Sequence, residues 1–131
     1  MLKRFLEWIG LKEKIHNNEI PPVFEEREIW WVSLGENIGH EEDGKGNSFE
    51  RPFVVVRKFN KELLFGVPCS SVSKKNKYYF NIHIKSKNLD TSALLSQAKT
   101  ISSRRLLRMV DKIGSGVFRE LKKALQRALF G

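Results

Sequence analysis

The sequence is poor in cysteine and in long apolar runs, and each shortage excludes a class of protein. Cys69 is the single cysteine, so no internal disulfide framework can form and no structural zinc site is indicated. The apolar runs fall far short of the roughly 18 residues that a membrane-spanning helix needs. Charged residues interrupt the apolar start of the chain, and no signal cleavage site follows. We therefore expect a cytoplasmic protein that does not associate with membranes.

The sequence also lacks the short motifs that hold common cofactors. It contains no phosphate-binding glycine motif, no zinc-ligand spacing, no dinucleotide fingerprint and no internal repeat. These absences predict a protein that works without a cofactor or a metal.

Positive charge is what the chain has in excess. Its 24 Lys and Arg residues against 15 Asp and Glu residues give a formal net charge of +9 and a pI near 9.9. A surface of this kind attracts polyanions, and nucleic acid is the leading class of partner. Charge alone also fits a small protein that is simply kept in solution. The 131 residues fit one hydrophobic core, so we expect a single domain.

The hydrophobic pattern indicates a mainly β (α+β) fold. Short strands are followed by helices without βαβ alternation, which is typical of a curled antiparallel sheet or small barrel packed by terminal helices. The predicted strands cover 29–32, 53–59, 63–68, 77–85 and 92–96. The predicted segments are an N-terminal segment with an amphipathic helix (1–16), a linker (17–26), the β-barrel (27–101) and the C-terminal helices (102–131).

Three of these predictions depend on particular residues. The first helix, over 2–15, contains Gly10, which can end it early. At the C-terminal end, apolar residues recur with a period near 3.6. That period predicts one helix from Ser102 or Ser103 to Ile113 and another that begins at Ser115.

The long connection from Gly35 to Arg51 is the most informative stretch of the chain. Loops longer than about 12 residues between confident strands are usually functional or disordered. Arg51 ends this loop, and Pro52 holds it extended at the mouth of a strand. Its guanidinium can bind two phosphate oxygens at once. The alternative is a surface salt bridge to Glu50 or Glu41, which is a common and weak interaction.

Cleavage of RNA needs little more than such a site, because the substrate's 2′-hydroxyl is itself the nucleophile. It requires a proton acceptor, a proton donor and groups that stabilise the charge on phosphorus. In the same loop Glu41 is the candidate base, and His40 is a further candidate for proton transfer. Ser70 can donate a hydrogen bond to a phosphate oxygen, or it can form a local turn. The other candidate RNA-binding residues are Ser71, Lys45, Lys74 and Lys75.

Two further possibilities involve aromatic and thiol side chains. Trp30, Trp31, Tyr78 and Tyr79 offer surfaces for base stacking, but only one of each adjacent pair on a strand can face outward. A Cys69 nucleophile paired with His83 or His40 is disfavoured, because nothing near it in sequence stabilises a thiolate.

Several blocks in sequence order resemble the MazF/PemK toxin family. The resemblance covers residues 27 to about 127, and its specificity comes from the order of all the blocks together. The matching blocks are Glu28 to Leu34, Gly39-His40-Glu41, Arg51 to Val56, Val67 to Ser71, Leu95 to Ile101 and Arg105-Leu106.

The resemblance implies an SH3-like barrel, a homodimer and a metal-independent endoribonuclease that leaves a 2′,3′-cyclic phosphate and a 5′-hydroxyl on single-stranded RNA. It also implies an antitoxin partner, expected to be acidic. By position, Arg51 matches the family's essential arginine, Ser70 its usual threonine and Glu41 a glutamate that some members need. Gln97 matches a glutamine in the segment before the first C-terminal helix, a structural or subunit-contact position.

Some features depart from the family, and two other functions stay open. The loop before Arg51 is longer and more acidic than the compact family form, and the N-terminal helix has no counterpart in the shortest members. The alternatives are a non-enzymatic toxin of the same fold that poisons DNA gyrase and a nucleic-acid-binding module without catalysis.

Overall fold

A computed structural model describes residues 4–16, 21–35, 50–71 and 74–131. Within these ranges the seven antiparallel strands hold more residues than the two α-helices, which confirms the prediction of a mainly β fold. One helix begins near the N-terminus and another ends the chain. The elements are α1 (Phe5–His16), β1 (Glu28–Ser33), β2 (Glu50–Lys58), β3 (Leu63–Ser70), β4 (Tyr79–Ile84), β5 (Leu89–Leu94), β6 (Lys99–Ser102), β7 (Leu106–Lys112) and α2 (Ser115–Phe130).

The strands form one curled sheet in the order β4-β5-β3-β2-β1-β7, and β6 also pairs with β3. β3 is the reason for the curl. Near its start it pairs with β6 over Leu63 to Gly66, and at its end Cys69 and Ser70 pair with β5. Because two strands share one edge of β3 at different heights, the sheet bends there into a half-barrel.

Each face of the sheet has its own hydrophobic cluster. One cluster, on the face opposite α2, contains Phe24, Val32, Phe53, Val55 and Leu64. On the other face α2 inserts its buried residues against β2, β3, β4 and β5. Its buried side chains are Phe118, Leu121, Ala124 and Leu125. Residues 53–56 of β2 and most of β3 are therefore buried on both faces of the sheet.

The predicted helix from Ser102 or Ser103 to Ile113 is wrong. Ser103–Arg105 is a short 3-10 turn, and β7 then pairs antiparallel with β1. Leu106 and Ile113 are buried, whereas Leu107 is exposed. The apolar residues that would line one face of a helix therefore do not share one buried face. β1 needs a partner along its open edge, and pairing with it overrides the weak local preference for helix.

Other strand limits also differ from the prediction. β3 continues through Pro68 to Ser70. The fifth strand is Leu89–Leu94, not 92–96, and β6 is a separate strand that the sequence pattern does not reveal. Gln97 therefore lies in a 3-10 turn before a strand, and no helix follows it directly. The helix that begins at Ser115 is confirmed.

α1 runs through Gly10 without a break and packs against the end of β1. Trp8 is buried there, and its ring lies directly over Gly35, at the start of the loop that follows β1. Arg105 stacks on the same ring, with its guanidinium carbon 5.5 Å from the ring centroid. Arg105 also donates a hydrogen bond from Nη1 to the Ser33 carbonyl at 3.1 Å. Burial of this guanidinium lowers the pKa of Arg105.

Gly35→Ala is expected to detach α1 from the sheet. Gly35 has φ of +79°, and an added Cβ would overlap Cε2 of Trp8. The strain of the left-handed conformation and the clash together should cost about 2 kcal/mol. Hydrogen exchange measured by mass spectrometry should show residues 5–16 exchanging faster. Gly10→Ala is the control, because its Cβ meets nothing within 4 Å. Unchanged protection of α1 in Gly35→Ala would contradict this packing.

Candidate active site

The sheet itself positions Arg51. β2 begins at Glu50, so Arg51 lies inside the strand, opposite Val32 of β1. Pro52 follows it and pairs with Trp31. The side chain of Arg51 is half-buried. The strand therefore begins three residues before the predicted start at residue 53 and includes Arg51 itself.

Ser70 lies on the same face of the sheet as Arg51. Phe53 pairs with Pro68, and Arg51 and Ser70 each lie two residues from that pair, toward the same end of the sheet. Residues two apart in a strand share a face, and paired residues face the same way. Ser70 is nevertheless buried, and its carbonyl accepts a hydrogen bond from Thr91 Oγ1 at 3.0 Å. The next residue, Ser71, is exposed.

A cavity of about 360 Å³, which we call the Arg51 cavity, lies at this end of the strands. It brings Arg51 together with Ser71, while Ser70 is not among the residues that line it. The lining residues include Trp31, Arg51, Pro52, Ser71, Asp90 and Thr91. The cavity thus holds a guanidinium, hydroxyls and an aromatic ring together with the carboxylates of Glu50 and Asp90. The guanidinium and hydroxyls suit a phosphate group, and the ring suits an attached base.

Of the two adjacent tryptophans on β1, one is buried and the other is partly exposed, as expected. Trp30 is buried, and its indole Nε1 donates to Glu28 Oε1 at 3.0 Å. Trp31 lines the Arg51 cavity and is partly exposed. Arg108 of β7 stacks on Trp31 and also binds Glu50 Oε1 at 2.7 Å. Glu50 is therefore paired with Arg108, which lies on the strand at the other side of β1.

Cys69 lines the same cavity but is not suited to act as a nucleophile. It is fully buried, and burial raises the pKa of its thiol to about 12, although the charge of Arg51 partly opposes the shift. A thiol with this pKa stays protonated at neutral pH, and only the thiolate is strongly nucleophilic. The structure therefore argues against the Cys69 alternative.

The remaining predicted residues are not all brought to this cavity. Lys74 and Lys75 are exposed on the connection that leads from Ser71 to β4. Gln97 is half-buried in its 3-10 turn. His40, Glu41 and Lys45 lie outside the described residues. Their roles stay predictions.

A second cavity, of about 510 Å³, adjoins the first and is not anticipated by the sequence pattern. We call it the His83 cavity. Both cavities are lined by Ser71, Asp90 and Thr91, so the two cavities adjoin each other at these residues. His83 Nδ1 lies 2.7 Å from Asp90 Oδ1 across the β4–β5 pair. The signal in the sequence is the short turn after Ile84, which places residues on either side of it opposite each other.

The described residues provide neither a metal site nor a helix that could span a membrane. Over the described ranges, no group of three or more His, Cys, Asp or Glu side chains is placed to hold a metal ion. Neither α1 nor α2, the two α-helices described, has the length and apolarity that crossing a membrane requires.

The fold and the site together define a small half-barrel of the SH3-like type with a charged cleft at one end of its strands. A family model described as PemK-like, MazF-like toxin of type II toxin-antitoxin system matches residues 25–129. The chain therefore belongs to this family of toxins, which confirms the resemblance. The match begins after α1, so this helix is an addition to the part that the family model covers. No curated protein matches the sequence.

Solved structures show the same fold at low sequence identity. The MazF toxin of Deinococcus radiodurans is 17% identical and aligns over 85% of this chain and 98% of its own, with a TM-score of 0.62. The toxin MazF-mt6 of Mycobacterium tuberculosis is 13% identical, over 78% and 95%, with a TM-score of 0.61. An endoribonuclease from a mycobacterial species, solved with its cognate antitoxin, is 10% identical, over 82% and 95%, with a TM-score of 0.63.

Proposed function

We propose that this protein is the toxin of a type II toxin-antitoxin pair and an endoribonuclease that cuts single-stranded RNA without a metal ion. The observation that carries the proposal is the shared cavity of Arg51, Ser71 and Trp31 at the ends of rigid strands. Family membership and a net charge of +9 support it. Fold alone does not imply activity, so the proposal rests on the site.

In the proposed reaction the 2′-hydroxyl of one nucleotide attacks the adjacent phosphorus. The new O2′–P bond forms, the P–O5′ bond breaks, and the products carry a 2′,3′-cyclic phosphate and a 5′-hydroxyl. Arg51 binds the nonbridging oxygens, where negative charge grows in the transition state. A serine hydroxyl of the Ser70-Ser71 pair donates a hydrogen bond to the same oxygens.

The reaction also moves one proton off the 2′-hydroxyl and one onto the departing O5′. For the first step we propose Glu41 as the acceptor; His40, in the same loop, is the candidate to supply the second proton or, instead of Glu41, to accept the first. The loop of residues 36–49 joins β1 to β2, and Ser33 pairs with Glu50 across its base. Its two ends are therefore fixed next to Arg51, which supports a role for loop side chains at the same phosphate.

We further propose an acidic antitoxin and a homodimer as partners. Two solved relatives support the antitoxin: the mycobacterial endoribonuclease was solved with its cognate antitoxin, and the Deinococcus radiodurans MazF was solved with MazE. An acidic protein complements the positive surface of this chain.

Incubation of the purified protein with a defined single-stranded transcript in EDTA tests the function. We expect discrete fragments whose new 5′ ends accept phosphate from polynucleotide kinase without prior dephosphorylation. Intact RNA would contradict the proposal. Inhibition of DNA gyrase by the same preparation would then favour the gyrase-poisoning toxin, and salt-dependent RNA binding without cleavage would favour the non-catalytic module.

A further inference from the structure

The His83 cavity has the size and chemistry of a site for one flat, polar ring. It measures about 510 Å³ and lies on the β4–β5 hairpin, directly beside the Arg51 cavity. The cavity is lined mainly by polar residues, which carry amide, imidazole, carboxylate and hydroxyl groups, and its apolar residue Ile82 is buried in the core.

Two cross-strand pairs of residues between β4 and β5 orient the polar groups of the cavity. His83 pairs with Asp90 and Asn81 pairs with Ser92, and the four residues share one face because they are two apart in their strands. Asp90 binds His83 Nδ1 at 2.7 Å, and Ser92 Oγ donates to Asn81 Oδ1 at 2.9 Å. The Asp90 contact fixes the plane of the His83 ring, and the Ser92 bond fixes the Asn81 amide.

The other ring nitrogen of His83, Nε2, is not bonded by any residue in 4–16, 21–35, 50–71 or 74–131. The ring is about half exposed, with a side-chain exposure of 48%. A ring held at one nitrogen and open at the other is suited to bind a ligand edge. Asparagine, serine and carboxylate groups can bind the edges of bases, and histidine is among the side chains on which unstacked bases stack.

The spacing fits a nucleotide next to the cleaved phosphate rather than the phosphate itself. His83 lies three strands from Arg51 and two residues further along, which gives a Cα separation of roughly 16 Å for ordinary strand spacing. Ser71, Asp90 and Thr91 line both cavities, so a nucleotide next to the phosphate bound at Arg51 lies beside the His83 cavity.

We propose that the His83 cavity is a base-recognition subsite, which holds one unstacked nucleobase of the RNA beside the phosphodiester that Arg51 binds. This inference rests on the proposed endoribonuclease function. It places part of the sequence preference on the β4–β5 hairpin, in Asn81, His83, Asp90 and Ser92. The groups presented are hydrogen-bond donors and acceptors, so the ligand is the edge of a base and not a further phosphate.

His83→Ala and Asn81→Ala test the subsite. Each is assayed on a transcript that contains many sequence contexts, and all new 5′-hydroxyl ends are sequenced. We expect discrimination at one position next to the cut to fall about 10-fold, since a good base contact gives roughly 1–3 kcal/mol of discrimination. Cleavage of substrates with any base at that position should continue.

His16→Ala is the matched control, because it removes an exposed histidine at the end of α1, outside both cavities. Its cleavage profile should equal that of the wild type. If His83→Ala and Asn81→Ala cut the same sequences in the same proportions as the wild type, the subsite is refuted while the endoribonuclease function stands. A uniform slowing at every site also refutes it. If the wild type does not cut RNA, both proposals fail.

Discussion

Arg51→Ala is expected to lower kcat/KM for RNA cleavage about 10³-fold while the protein stays folded. The guanidinium is proposed to stabilise the charge that develops on the nonbridging oxygens, and loss of one such donor in other enzymes costs about 10²- to 10³-fold. A positive charge is removed as well, so the upper end of that range is expected. A 10³-fold loss corresponds to about 4 kcal/mol of transition-state stabilisation. Initial rates on a short fluorescent oligonucleotide measure it.

Arg57→Ala is the matched control for this variant. Arg57 lies on the same strand, its side chain is 70% exposed, and its contact with Glu26 is long, at 4.0 Å. The substitution removes the same unit of charge from the same element, so it measures the effect of long-range attraction alone. We expect less than about a 2-fold change. Arg51→Lys keeps the charge but loses the planar fork, and should remain at least about 10-fold slower than the wild type.

The outcome that would contradict the proposal is an Arg51→Ala variant that cleaves RNA as fast as the Arg57→Ala variant. A large fall in both would mean that attraction of the RNA, rather than the geometry of one guanidinium, determines the rate. Thermal unfolding of each variant separates loss of function from loss of structure.

The position of Arg51 could be predicted because the signals around it agree. Pro52 forbids a helix there, the valines that follow favour a strand, and the strand is buried on both faces. The local preference for a strand and the tertiary structure agree at this position, so the sequence alone was enough to predict that Arg51 adjoins a strand.

The sequence is misleading where two patterns overlap. The apolar residues of β7 fit a helical period, and only the open edge of β1 decides in favour of a strand. Pairing between two strands that are distant in sequence cannot be predicted from the hydrophobic pattern of a short segment. The same limit hides the pair of His83 and Asp90, since the predicted fifth strand begins three residues too late and leaves Asp90 in a turn.

α1 shows a different limit. The spacing of its apolar residues predicts the helix but not what it packs against, because Trp8 contacts Gly35 and Arg105 from distant parts of the chain. Contacts of this kind connect the added helix to the start of the loop that precedes Arg51. Their existence depends on the folded path of the backbone, which sequence spacing does not give.

Gly66→Ala is expected to cause the largest loss of stability among single methyl additions to the sheet. Gly66 is buried in the middle of β3, where it pairs with Val55 and Lys99. An added Cβ would overlap the carbonyl oxygen of Val54 and Cε1 of Phe53. The Phe53 ring belongs to a buried cluster, and the carbonyl is backbone, so neither can move without disturbing β2.

Overpacking of this kind typically costs about 1–3 kcal/mol, and a clash with backbone lies at the upper end, about 3 kcal/mol. For a domain of this size that lowers Tm by roughly 10 °C. Urea unfolding followed by far-UV circular dichroism measures the free energy directly. Gly116→Ala is the control, because it lies in the first turn of α2 and its Cβ meets nothing within 4 Å. We expect it to stabilise the protein by about 0.5–1 kcal/mol.

The two glycine variants together test the sheet rather than the general effect of alanine. Both reduce the freedom of the unfolded chain by the same substitution, so that term cancels in their comparison. Their difference, about 4 kcal/mol, then reports the contact between β2 and β3 that also holds Arg51 beside the serine pair. If Gly66→Ala unfolds at the same urea concentration as Gly116→Ala, the two strands do not approach as closely as described, and the geometry on which the active-site proposal depends is wrong.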